Sequence, residues 1–214
     1  MKKSLIVILI VVAVIAVVVA FIVSNMFTQA EKTYDLKNKK VLIVLFENFQ
    51  PLEFDPVRSL LVKSKAEVHI LAINKTVGVK YDYYIADVVN RFDQLAESYD
   101  AIIIIGGSGV YARVVGEVKD PGLDMLIKLC KEFNKRSKLV AAICAAPGVL
   151  ARADILKGLK ATCYPSGELI KLLKEHGASY IDKRVVRDKN IITSVGPETA
   201  KDFAEAICEY LSGG

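Results

Sequence analysis

The chain has no tryptophan, two histidines, four cysteines and six prolines in 214 residues. Four thiols are too few to staple a chain of this length, and their spacing matches neither a CxxC redox pair nor a zinc-binding set. Internal repeats are missing, which excludes a solenoid or propeller. A basic surface is missing too. The formal charge is +5, but residues 1–40 hold six lysines against two acids, leaving 23 basic and 22 acidic residues in the other 174. A body so nearly neutral has little room for the concentrated lysine and arginine face that grips phosphates, so nucleic-acid binding is set aside. What is present is apolar: 53% of residues are hydrophobic and 25% charged, which excludes a disordered chain and fits one folded domain.

The longest apolar run stands at the start. Residues 5–23, LIVILIVVAVIAVVVAFIV, are 19 consecutive apolar residues. As a helix they would reach across most of a hydrocarbon layer about 30 Å thick, so residues 1–23 are expected to be a single-pass membrane anchor. The run is longer than the core of a cleaved signal peptide, and with no polar face it has no stripe with which to dock on a domain. Lysines stand on both sides of it, Lys2 and Lys3 before and Lys32, Lys37, Lys39 and Lys40 after, so the charge rule assigns no side of the membrane to the body. Residues 24–38 read as a polar tether and 39–214 as the folded domain.

In that domain short runs rich in β-branched residues alternate with segments of helical period. Residues 41–46, 66–73, 101–105, 139–143 and 191–195 have the composition of strands covered on both faces. After Pro121 the set Leu123, Leu126, Ile127, Cys130 and Phe133 follows the i, i+3, i+4, i+7 pattern, and Phe203, Ala206, Ile207, Tyr210 and Leu211 repeat it near the end. The alternation predicts an α/β three-layer sandwich with a mostly parallel, flavodoxin-like sheet. Residues 77–90, VGVKYDYYIADVVN, break the alternation and read as a hairpin or an edge pair added to the parallel core.

In an open α/β sheet ligands collect at the carboxyl ends of the strands, where ENFQPLEF (47–54), GGSG (106–109) and Cys144 with AAPG (145–148) stand. Cys144 is the sharpest of these. It ends a strand, small residues follow, and Pro147 suits the first turn of a helix. Such a turn presents a side chain on an elbow, and neighbouring amides lower a thiol pKa and stabilise a developing oxyanion. The competing reading is a small buried hydrophobe. On the same footing Glu53 reads as a helix N-terminal acid and GGSG as a tight turn.

The segment LVAAICAAPG (139–148) resembles the nucleophile elbow of the ThiJ/PfpI family, and residues 39–214 are similar to it in order and spacing: an acid in the loop after the first strand, an IIGG turn after YDAI, the AAIC elbow, ATCYP (161–165) and TSVGPETA (193–200). The resemblance implies a nucleophilic Cys144, a hydrogen bond from Glu53 to its sulfur, and an oxyanion hole from the amides of Gly107 and Ala145, with Tyr164 beside the substrate. It implies no cofactor or metal, small reactive carbonyls or glycated molecules as substrates, and self-association into a homo-oligomer.

The pattern is broken at histidine. Protease-like members of that family carry one directly after the nucleophile, where this chain has Ala145, and others carry one where this chain has Tyr164. His69 falls within a predicted strand and His176 before Gly177 at a helix end, where an imidazole commonly meets the last carbonyls. A Cys-His couple for peptide cleavage therefore has no base. A thiol and an acid alone still suit attack on an α-oxoaldehyde, of glyoxalase or deglycase type, or storage of an oxidised sulfur in a stress sensor or holdase chaperone. Strand alternation turns Cys163 away from Tyr164 and the thiol, while Cys130 and Cys208 sit on core stripes.

Overall fold

The computed structural model describes residues 14–20 and 32–213, which belong to two units, Met1–Thr33 and Tyr34–Gly214. In the first unit residues 14–20 are helical and their valines lie about half exposed or more. The expected membrane-spanning helix over 5–23 falls largely outside the described residues, and among the described residues no helix is long and apolar enough to cross a membrane.

The second unit is a seven-stranded sheet with helices on both faces. Its strands are β1 (Lys40–Leu45), β2 (Glu67–Ala72), β3 (Tyr83–Tyr84), β4 (Ala101–Ile104), β5 (Leu139–Ile143), β8 (Val185–Asp188) and β9 (Ile191–Ser194), in the order β3-β2-β1-β4-β5-β9-β8. Every neighbouring pair is parallel except β8 with β9. The short strands β6 (Lys160–Ala161) and β7 (Ser179–Tyr180) pair separately. The helices are α1 (Pro51–Lys63), α2 (Ile85–Val88), α3 (Phe92–Ser98), α4 (Ser108–Val115), α5 (Pro121–Lys135), α6 (Pro147–Arg152), α7 (Gly167–Glu175) and α8 (Ala200–Leu211).

Two hydrophobic cores explain why the central strands carry almost no polar residues. Along β1, Leu42 and Val44 turn to one face while Val41, Ile43 and Leu45 turn to the other, and β4 divides in the same way. The first face is covered by α5 through Leu126, Cys130 and Phe133; the second by α1 and α8 through Val57, Leu61, Phe203 and Ile207. Both predicted helical stripes thus meet the sheet, and Cys130 and Cys208 are buried in them. The α/β sandwich and the mostly parallel sheet are as the alternation predicted.

Two expectations are corrected. Residues 77–90 form no hairpin: Tyr83–Tyr84 adds to the sheet edge parallel to Leu71–Ala72, and the chain then turns at once into α2. The two tyrosines masked the spacing of Ile85 and Val88, three apart and both buried, which makes one helical turn the better way to cover the core. The tether also ends early. Leu36 is completely buried and its N–H donates to the Ser64 carbonyl at 2.7 Å, so the folded body begins at Tyr34 and not at 39.

Candidate active site

Cys144 follows the last residue of β5 in the left-handed region, at φ +65°. A residue with a Cβ is strained there by about 1–3 kcal/mol and stays only where its surroundings hold it. They do so from both sides: the Cys144 N–H donates to the Ser194 carbonyl on β9 at 3.0 Å, and its carbonyl accepts from the Tyr164 N–H at 2.8 Å. Ala145 and Ala146 are buried behind it, and Pro147 opens α6. The sulfur is left half-buried at the carboxyl edge of the sheet, whereas the other three thiols are buried.

Glu53 lies in the first turn of α1, which starts at Pro51 and is capped by the Gln50 side chain accepting from the Leu52 N–H at 3.3 Å. The position fits a helix N-terminal acid, but Glu53 is completely buried, which a solvated dipole partner would not be. Its Oε2 accepts from the Gly106 N–H at 2.9 Å, and the Gly106 carbonyl accepts from the Gln50 N–H at 2.9 Å. One residue of the GGSG turn therefore pins the start of α1 at two points. The carboxyl's other oxygen, Oε1, is buried without a hydrogen-bond partner, and the Cys144 thiol is near enough to this carboxyl to favour its ionised form. The N–H groups of Ala145 and Gly107 donate toward the sulfur.

Gly106 leaves no space for a side chain. A Cβ there would stand 2.5 Å from the Cys144 Cβ and 2.6 Å from Glu53 Oε2. Gly106→Ala should therefore destabilise the fold by about 1–3 kcal/mol in urea unfolding and separate the thiol from the carboxyl. Unchanged stability would contradict this packing. The loop between β1 and α1 has a second brace. Arg113 of α4, nearly buried, donates to Glu47 at 2.6 Å and to Asp120 at 2.7 Å and lies over the Phe46 ring.

The two reacting groups titrate as a pair. Burial pushes the Glu53 carboxyl up from 4.5 to about 7, opposed by the bond from Gly106 and the nearby Cys144 thiol and aided by the charge of Glu198. Burial and an ionised Glu53 push the Cys144 thiol up to about 12, while the Ala145 and Gly107 amides pull it down. Two buried anions side by side are costly, so one proton is held between them. When it rests on Glu53 the opposing charge is gone and the carboxyl O–H becomes a donor to the sulfur.

Four of the five residues singled out in the sequence thus converge: Cys144, Glu53, Gly107 and Ala145. Tyr164 reaches the elbow through its backbone; its ring is exposed beside Gly196. Cys163, one residue earlier, is completely buried; β6 ends at Ala161, so this residue stands outside the strand whose alternation was to turn it away. Gly106, Gln50 and Ser194 were not singled out; the double glycine after a run of isoleucines was the one signal for the first. Neither imidazole is near. His69 packs against Tyr83 and Tyr99 in a hollow of about 350 Å³ that also takes in Lys40 and Glu67, at the opposite edge of the sheet. His176 caps α7 through its backbone N–H, which donates to the Leu172 carbonyl at 3.1 Å, while its imidazole bonds to the Asp154 carboxylate at 2.9 Å. Among the described residues no group of three or more His, Cys, Asp or Glu side chains could hold a metal ion.

A parallel α/β sheet that presents a left-handed cysteine between two amides, with a buried carboxylic acid on its sulfur, defines a class of thiol proteins built on a nucleophile elbow. The chain belongs to the DJ-1/PfpI family, whose model matches residues 39–210. It is 37% identical over 184 residues to an uncharacterised protein of Methanocaldococcus jannaschii, covering 85% of this chain and 86% of that one. It is 32% identical over 179 residues to protein dj-1beta of Drosophila melanogaster, covering 82% and 91%. The crystal structure of Drosophila DJ-1beta superimposes with a TM-score of 0.68 at 30% identity over 83% of this chain and 92% of that one. The structure of oxidized Toxoplasma gondii DJ-1 gives 0.64 at 30% identity over 81% and 90%.

Proposed function

We propose that the protein is a cysteine-dependent enzyme acting on small reactive carbonyls, with Cys144 as nucleophile and Glu53 as proton shuttle. The observation that carries this reading is the buried Glu53 carboxyl, raised to about 7, against a sulfur that the amides of Gly107 and Ala145 also face. For an α-oxoaldehyde the sulfur adds to the aldehyde carbon and the carbonyl electron pair moves to oxygen, where the two amides stabilise it. Glu53 gives that oxygen its proton, takes the hydrogen from the same carbon and returns it to the neighbouring one, leaving a thioester. Water then releases a 2-hydroxy acid and the thiol. The net change is addition of water, with no outside oxidant. The assay is methylglyoxal consumption by purified residues 34–214, the unit that contains both cores; absence of consumption at neutral pH overturns the reading.

A second reading is favoured by a separate observation: Cys144 is the one cysteine not fully buried, while Cys130, Cys163 and Cys208 are closed off from solvent. A thiol beside a neutral carboxyl can be oxidised by two equivalents of peroxide to a sulfinate that the carboxyl O–H holds. Graded peroxide followed by mass spectrometry should find the added oxygen on Cys144 before any other thiol, and uniform oxidation of all four would count against it. The membrane anchor belongs to the same proposal. Its support is the apolar run 5–23, of which residues 14–20 are helical. Self-association remains part of it on the strength of the resemblance.

A further inference from the structure

The mouth of the thiol site carries a charge that the chemistry above does not use. Glu198 sits on the short 3-10 turn Pro197–Thr199, which follows the strand whose Ser194 carbonyl holds Cys144. A point one Cβ out from Gly196 is 3.3 Å from Glu198 Oε2 and 3.8 Å from the Tyr164 ring, so carboxylate and ring flank the same strip of backbone. The Tyr164 backbone N–H donates to the Cys144 carbonyl and the Cys144 N–H to the Ser194 carbonyl, so the segments that carry the ring and the carboxylate both border the elbow. The Glu198 side chain is exposed, yet its charge is felt by the buried Glu53 carboxyl.

The guanidinium beside it is engaged by other groups. Arg184 gives its Nε to the Asp202 carboxylate at 2.7 Å and one amino group to the Glu198 backbone carbonyl at 2.7 Å. Asp182 and Lys183, of opposite charge, line the adjoining hollow, and neither is ion-paired with Glu198. Among the described residues the Glu198 carboxylate has neither a hydrogen bond nor an ion pair of its own.

We propose that Glu198 is a specificity residue that admits cationic and neutral electrophiles to Cys144 and turns away anionic ones. Resting on the carbonyl reading above, the substrate class becomes uncharged oxoaldehydes and carbonyl adducts borne on amino or guanidino groups, and excludes oxo acids. A lone negative charge at the protein surface beside the approach path separates the two signs by about tenfold at low salt.

The gate is read without turnover, on the full chain, with two methanethiosulfonates that share a reacting group and carry opposite charge, the 2-aminoethyl and the 2-sulfonatoethyl reagents. In each the thiolate displaces methanesulfinate and forms a disulfide; Cys144→Ala supplies the blank, since the other thiols are buried. Taking the ratio cancels any change in thiol acidity caused by Glu198 itself. The cation-to-anion rate ratio should fall about tenfold in Glu198→Gln, stay near the wild-type value in Glu198→Asp, and lose its dependence on Glu198 in 1 M salt. A ratio unchanged by Glu198→Gln overturns the proposal. Methylglyoxal and glyoxylate are then offered as substrates. If the wild-type protein consumes neither while the reagent ratio still falls, the carbonyl reading fails and the charge gate stands.

Discussion

Cys144→Ala should reduce methylglyoxal consumption to the uncatalysed rate, a loss of at least about three orders of magnitude, with the fold intact. The loss is expected to be complete because nothing else at the site can form the bond to carbon. Glu53 is buried and in contact with the sulfur it serves, and Cys163 is completely buried below Tyr164. The fold should survive because alanine keeps the backbone bonds to Ser194 and Tyr164 that fix the turn. Circular dichroism and urea unfolding check the second half. Residual turnover above background in a folded Cys144→Ala protein would remove the nucleophile assignment.

Glu53→Gln should lower turnover by about 10²- to 10³-fold while making the thiol easier to alkylate, and it is this opposition that identifies a shuttle. A glutamine can present its oxygen to the Gly106 N–H and its NH₂ to the sulfur. It thus preserves the latch at 2.9 Å and removes the carboxylate charge that pushes the thiol up. What it cannot do is accept and return a proton. Iodoacetamide labelling at pH 7 should be faster than in the wild-type protein even as methylglyoxal turnover collapses; parallel loss of both would make Glu53 a merely structural support.

The same variant tests the titration. The folded value of about 7 lies above the ordinary 4.5, so the protein holds the neutral acid more tightly than the unfolded chain does. That contribution to stability is fully present below pH 4.5 and is lost as the pH rises through about 7. The loss amounts to about 3 kcal/mol for a group this buried. Urea midpoints should fall between pH 5 and pH 8 in the wild-type protein and stay level in Glu53→Gln.

The central strands were legible in the sequence because a parallel sheet covered on both faces leaves no position for a polar residue, and the isoleucine run 102–105 can hardly be read otherwise. The helices at Pro121 and near the carboxyl terminus were legible for the complementary reason, one apolar stripe each. Residues 77–90 were not, since a run with tyrosines and β-branched residues satisfies a strand pattern whether or not Ile85 and Val88 are needed three apart. Leu36 was hidden by its polar neighbours. At the site, the proximity of Cys144 to the carboxyl edge followed from strand order alone, but its contact with Glu53 across 91 positions came only from the resemblance. The Arg113 link to Glu47 spans 66 positions and had no local signal at all.

The left-handed turn at Cys144 has a corollary for how this chain can change over generations. Stability alone would place glycine there, since glycine takes up that backbone without the crowding a Cβ suffers. The sulfur occupies a spot that folding by itself would leave bare. A descendant lineage released from whatever task the thiol performs would meet almost no resistance in erasing it.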